Sequence, residues 1–166
     1  MGTATVSSRR EFEQAGLPGQ PAHTRVHGAR ESVAPTALIV DDEPRLLHTL
    51  RQFVLKQGYE VRTATDGLSA LRYLQTERPH FLLVDQHLPG ACGLDILRYL
   101  NQGAPDVRVV LMSALLDDAL ATTARGLGAT ACLQKPFSLR ALGNLLEQER
   151  QAAEHGTAIA ETGIGS

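Results

Sequence analysis

Five residues draw attention by type and by where they fall: Asp41, Asp42, Asp85, Ser113 and Lys135. Asp41-Asp42 ends the apolar run Ala37-Leu38-Ile39-Val40, and Asp85 ends Phe81-Leu82-Leu83-Val84. Ser113 follows Val107 to Met112, and Lys135-Pro136 follows Thr130 to Gln134. Three carboxylates gathered in one pocket repel and do not all stay ionised unaided. A hard divalent cation relieves that repulsion, and oxygen ligands in an incomplete protein cage suit Mg²⁺. With the Lys135 ammonium added, such a site is near neutrality and can admit an anionic phosphoryl group. Phosphoryl transfer asks mainly for positioning and charge neutralisation, and an aspartate carboxylate is a competent covalent acceptor. Taken singly, the same residues are bland. Asp41-Asp42 reads as a turn or helix cap, Lys135-Pro136 as a turn, and Ser113 as a strand-end hydroxyl.

Convergence therefore depends on the elements that carry these residues. Ala37 to Val40 and Phe81 to Val84 are short, continuous apolar runs, as expected of strands buried on both faces. Glu60 to Ala64 alternates and reads as an edge strand. Val107 to Met112 and Thr130 to Gln134 supply the fourth and fifth strands. Between them lie helical patterns. Pro44 suits a first turn, Leu46, Leu47, Leu50 and Val54 recur behind it, and Gly58 closes the helix. A second helix enters at Asp66-Gly67 and ends before Pro79; a third runs from about Gly93 to Asn101. The fourth spans Asp117 to Leu127 before Gly128, and Ser138 caps a last one carrying Leu139, Leu142, Leu145 and Leu146. Five strands, each followed by a helix, imply right-handed crossovers and a mostly parallel sheet covered on both faces. In such sheets ligands bind outside the carboxyl ends of the strands, which is where all five residues fall.

The remaining composition narrows the choice. At 166 residues, 43% hydrophobic and 20% charged with net charge −2, the chain suits one globular domain and carries no bias toward nucleic acid or membrane surfaces. No apolar run approaches the ~20 residues of a bilayer span, and residues 1–20 lack the apolar stretch of a secretory signal. Cys92 and Cys132 fit neither a disulfide framework nor a metal cluster; they read as small hydrophobes. His23 and His27 form no metal site. The expected organisation is a disordered extension over 1–36, a domain over 37–150 and a flexible tail over 151–166, in a reducing, cytoplasmic setting.

From about Thr36 to Arg150 the chain resembles the receiver domain of bacterial two-component response regulators. The resemblance is carried by Leu38-Ile39-Val40-Asp41-Asp42-Glu43-Pro44, by Leu83-Val84-Asp85-Gln86-His87-Leu88-Pro89-Gly90 with Gly93, by Leu111-Met112-Ser113-Ala114, and by Leu133-Gln134-Lys135-Pro136-Phe137 after Gly128-Ala129. It implies a flavodoxin-like, doubly wound, five-stranded parallel (βα)5 fold. It also implies a phosphoryl group carried on Asp85, delivered by a phosphohistidine of a sensor histidine kinase or phosphotransfer protein. Mg²⁺ would be held by Asp42 directly, by Asp41 largely through water, by Asp85, and by the backbone carbonyl of His87. Ser113 and Lys135 would bind phosphoryl oxygens, and the bond before Pro136 would be cis. Cys132 occupies the switch position where the family usually has Tyr, Phe or His, and a small thiol changes its contacts less on rotation.

The function implied is a phosphorylation-dependent switch rather than a metabolic enzyme, with the site catalysing its own phosphorylation and slow dephosphorylation. Output would come from protein contacts of a single-domain regulator, with a phosphorylation-dependent homodimer among them and no direct nucleic-acid binding or membrane insertion. Two other readings exist. A haloacid-dehalogenase-like phosphatase wants Asp-x-Asp after the first strand, whereas this chain has Asp41-Asp42 there and a separate Asp85 on strand three. A degenerate receiver, acting as a constitutive interaction module, is disfavoured by the intact acidic pair, acceptor, hydroxyl and lysine.

Overall fold

A computed structural model describes residues 34–103 and 106–160, with side chains as far as 152. In chain order the elements are β1 (Thr36–Val40), α1 (Pro44–Lys56), β2 (Glu60–Ala64), α2 (Gly67–Thr76) and β3 (Phe81–Asp85). They continue with α3 (Gly93–Gly103), β4 (Arg108–Ser113), α4 (Asp118–Gly126), β5 (Ala129–Gln134) and α5 (Leu139–Ala160). The extension expected over 1–36 lies outside the described residues up to position 33, and Thr36 already belongs to β1. Residues 161–166 also lie outside them.

Local signals account for most boundaries. Pro44 occupies the first turn of α1, and Gly58 follows the helix with φ +89°, the left-handed conformation that glycine adopts without a Cβ penalty. Asp66 caps α2 by accepting from Ser69 N, and Asp117 caps α4 by accepting from Leu120 N at 2.7 Å. Ser138 Oγ accepts from Ala141 N at 3.1 Å at the start of α5. The last helix runs further than the sequence reading placed it, past Arg150 to Ala160. Gln151, Ala152, Ala153 and Glu154 are strong helix formers, and no proline interrupts them.

The five strands form one parallel sheet in the order β2-β1-β3-β4-β5. Side chains alternate across it. Leu38, Val40, Leu82, Val84, Val109 and Leu111 pack with Ala70 and Leu74 of α2, Ile96, Leu97 and Leu100 of α3, and Ala124 of α4. Ala37, Ile39, Phe81, Leu83, Val110 and Met112 face the other way, onto Leu47, Leu50 and Val54 of α1 and Leu142 and Leu146 of α5. The expected two-sided burial thus holds for β1 and β3, whereas β2 is the exposed edge. From β1 the chain crosses one way to β2 and then the other way to β3. The switch point therefore lies between the carboxyl ends of β1 and β3, where such sheets open a crevice.

Candidate functional site

Register decides which side chains meet. Val40 of β1 pairs with Val84 of β3, so the residues one step further, Asp41 and Asp85, leave the sheet side by side at the switch point. On the other flank Asp85 pairs with Met112 and Ser113 with Gln134, which brings Ser113 and Lys135 to the same edge. Asp41, Asp85 and Ser113 are the buried polar residues among those described, at 0%, 5% and 0% exposure. Asp42, one position on, is exposed.

The half-buried Lys135 ammonium donates to Asp41 Oδ2 at 2.6 Å and lies 3.1 Å from Asp85 Oδ1. Asp41 Oδ1 in turn accepts from Glu43 N at 2.9 Å, so both oxygens of this buried carboxylate are engaged. Ser113 Oγ accepts from Leu115 N at 3.1 Å, which leaves its own O–H free to donate. The Ser113 carbonyl accepts from Lys135 N at 2.8 Å, tying the two strand ends together. The Lys135–Pro136 peptide is cis.

Burial pushes the Asp85 carboxyl above the ordinary aspartate range, and the neighbouring Asp41 charge adds to this; Lys135 and, less, His87 oppose it. Desolvation would pull Lys135 down, but its hydrogen bonds and charge pairing with Asp41 and Asp85 together outweigh that and hold it above the usual lysine value. These directions are compatible because the ammonium is shared and sits closer to Asp41. The lysine keeps its proton, while Asp85 is only partly compensated.

The sequence-selected residues are therefore not gathered equally. Asp41, Asp85 and Lys135 are in direct contact, and Ser113 is bonded to the last through the backbone. The three-carboxylate cup is not closed. Among the described residues no three His, Cys, Asp or Glu side chains group as a metal site, and Asp42 stands exposed. His87 is exposed. Cys132 is half-buried on β5, across from Leu111, and burial raises its thiol pKa; it packs beside the core shared with α2, α3 and α4. The donor set still suits Mg²⁺, which is commonly held by one or two carboxylates with several retained waters. Asp41, Asp85 and Lys135 leave one net negative charge at the switch point, and Asp42 beside them adds another.

Sequence reasoning assigned no role to Gln86, whose side chain accepts from Leu94 N at 3.1 Å. A contact across eight positions has no signature in capping patterns, which act within four. A groove of about 520 Å³ also opens beside Lys135, between Glu43, Arg45 and Leu46 at the start of α1 and Pro136 and Phe137 after β5.

Fold and site together define an α/β module whose charged groups converge at the switch point of a parallel sheet. Comparison with known proteins narrows this class. A family model described as the response regulator receiver domain matches residues 37–147, and the chain belongs to that family, which serves two-component and phosphorelay signalling. Transcriptional regulatory protein KdpE of Mycobacterium tuberculosis is 35% identical over 124 residues, covering 75% of this chain and 53% of the regulator. The chain thus spans about half the length of that relative. Sporulation initiation phosphotransferase F of Bacillus subtilis is 33% identical over 102 residues, covering 61% of this chain and 82% of its own. Among solved structures, a response regulator from Burkholderia pseudomallei with a phosphorylated aspartic acid, calcium ion and citrate is 26% identical with TM-score 0.63, over 80% of this chain and 77% of that one. Among the described residues no helix is long and apolar enough to cross a membrane.

Proposed function

We propose that Asp85 is the phosphoacceptor of a signalling switch, receiving a phosphoryl group from a phosphohistidine on a sensor kinase or phosphotransfer protein. The observation that carries this reading is the Lys135 ammonium spanning the buried carboxylates of Asp41 and Asp85. The Burkholderia response regulator, whose structure contains a phosphorylated aspartic acid and a calcium ion, supports it. The Asp85 oxygen not bonded to Lys135 attacks phosphorus as the bond from phosphorus to the donor imidazole breaks, and that nitrogen leaves with the bond's electron pair. Lys135 and the free Ser113 O–H then bind phosphoryl oxygens, matching the charge that develops there. Mg²⁺, when bound, neutralises the same oxygens. Asp41, Asp42, Asp85 and the carbonyl of His87 would hold it.

Receiver domains are signalling modules and not enzymes of metabolism, so turnover of a small phosphate ester is not expected. Within this sequence the output is a change in protein contacts, with a phosphorylation-dependent homodimer among them, and neither DNA binding nor membrane insertion is assigned to it. The groove between Arg45, Leu46 and Phe137 gives a donor protein both an apolar and a charged wall beside Lys135. The test is incubation with Mg²⁺ and acetyl phosphate. The parent should gain one acid-stable, base-labile phosphoryl adduct, abolished by chelation and by Asp85→Asn. An unmodified parent, or an adduct that survives in the Asn variant, defeats the assignment.

A further inference from the structure

We propose that Gln86 is a positioning residue for the phosphoacceptor site, holding the connection from β3 to α3 through its side-chain bond to the first turn of α3. This rests on Asp85 being the acceptor. Gln86 follows Asp85 directly and is half-buried. Its N–H donates to Met112 O at 2.8 Å, its carbonyl accepts from Gly93 N at 3.1 Å, and its Oε1 accepts from Leu94 N at 3.1 Å. The first four N–H groups of a helix have no partner within it, and Gln86 satisfies two of those of α3. Asp95 makes the local counterpart, its Oδ2 accepting from Cys92 N at 3.1 Å.

The rest of the connection is held as closely. A Cβ on Gly93 would stand 2.7 Å from the Asp85 carbonyl and 3.1 Å from Gln86 Cα, so α3 begins in contact with the acceptor's own backbone. Near its apex, Gly67 N donates to Pro89 O at 3.0 Å, and Gly90, with φ +84°, packs beneath Leu68. Gln86 is thus the tether at the base of a segment already fixed at its apex. Residue 87, whose carbonyl is assigned to the metal, is the next along. Removing the side-chain acceptor orphans Leu94 N and slackens the backbone between Asp85 and that carbonyl. Partners one shell out from a metal commonly change its affinity 10–100-fold. For a single half-buried bond we expect about tenfold.

The test compares the full chain with Gln86→Met and Gln86→Glu. Met keeps length but cannot accept; Glu keeps the acceptor, and its charge lies at a helix N-terminus that tolerates it. Thermal midpoints are read across a titration with Mg²⁺ alone, followed by the rate of adduct formation from acetyl phosphate. The Met variant should need about ten times more Mg²⁺ for half its midpoint rise and react correspondingly slowly. The Glu variant should return to within about twofold of the parent, or bind tighter. A residue that merely supports the fold would lower every midpoint equally and leave the half-rise concentration unmoved. That result overturns the proposal, as does a Glu variant as impaired as Met or a parent indifferent to Mg²⁺. The titration precedes any phosphodonor, so a parent that binds Mg²⁺ yet takes no phosphoryl group defeats the Asp85 assignment alone.

Discussion

Lys135→Met removes the one ammonium between two buried carboxylates and keeps most of the side chain's apolar volume. At an effective dielectric near 20, ion pairs at 2.6 and 3.1 Å are each worth about 5–6 kcal/mol of attraction. Against this, the parent carries a desolvation cost for the lysine of several kcal/mol, which the variant no longer bears. Losing one partner of a buried ion pair typically costs about 3–5 kcal/mol net, and the 19% exposure kept by the lysine side chain places the expected loss at the low end, about 3 kcal/mol. Urea unfolding in chelator-treated buffer reads this directly. With a slope of about 1.5 kcal/mol per M, the midpoint should fall by about 2 M at neutral pH. Lowering the pH protonates Asp85, whose carboxyl lies above the ordinary aspartate range, and the deficit should shrink in acid as the repulsion is removed. In a cycle with Asp41→Asn, the double variant should lose clearly less than the sum of the singles, by about 1–3 kcal/mol. A midpoint unchanged at neutral pH, or a deficit equally large in acid, would refute the view that charge compensation by Lys135 holds this edge together.

Three further outcomes follow from the same geometry. For Asp85→Asn, the raised native pKa means the folded state binds the proton more tightly than the unfolded one, so parent stability falls as pH rises from the unfolded aspartate value through the native one. The Asn variant should therefore unfold at higher urea than the parent at neutral pH, with the gap closing in acid; a gap that widens in acid contradicts the sign. Gly93→Ala places a methyl 2.6 Å from Leu111 Cδ1 and 2.7 Å from the Asp85 carbonyl. It should cost about 2 kcal/mol in urea unfolding and slow adduct formation, and a silent substitution would show that α3 is free to retreat. Asp117→Ala, losing the 2.7 Å cap bond to Leu120 N, should cost about 1 kcal/mol in the same assay without changing Mg²⁺ dependence, which sets the baseline for a purely structural loss.

The alternation of strands and helices, the caps at Asp66 and Ser138, the closing glycines at 58 and 128, and the placement of Asp41, Asp85, Ser113 and Lys135 at strand ends were all legible in the sequence. Each depends on interactions within a few residues, so the pattern and its cause share one short window. Tertiary structure decided what those strand ends meet. Lys135 reaches Asp41 across 94 positions because the parallel order β1-β3-β4-β5 brings the carboxyl ends of these strands to one edge of the sheet, an order selected by burying both sheet faces at once. The same packing put Asp41 inside and Asp42 in solvent, although the residues are chemically identical and adjacent. It also turned Gln86 into a cap for a helix eight residues away. No local periodicity encodes such choices, because the free energy that makes them comes from the assembled core and not from the segment in which the residue is read.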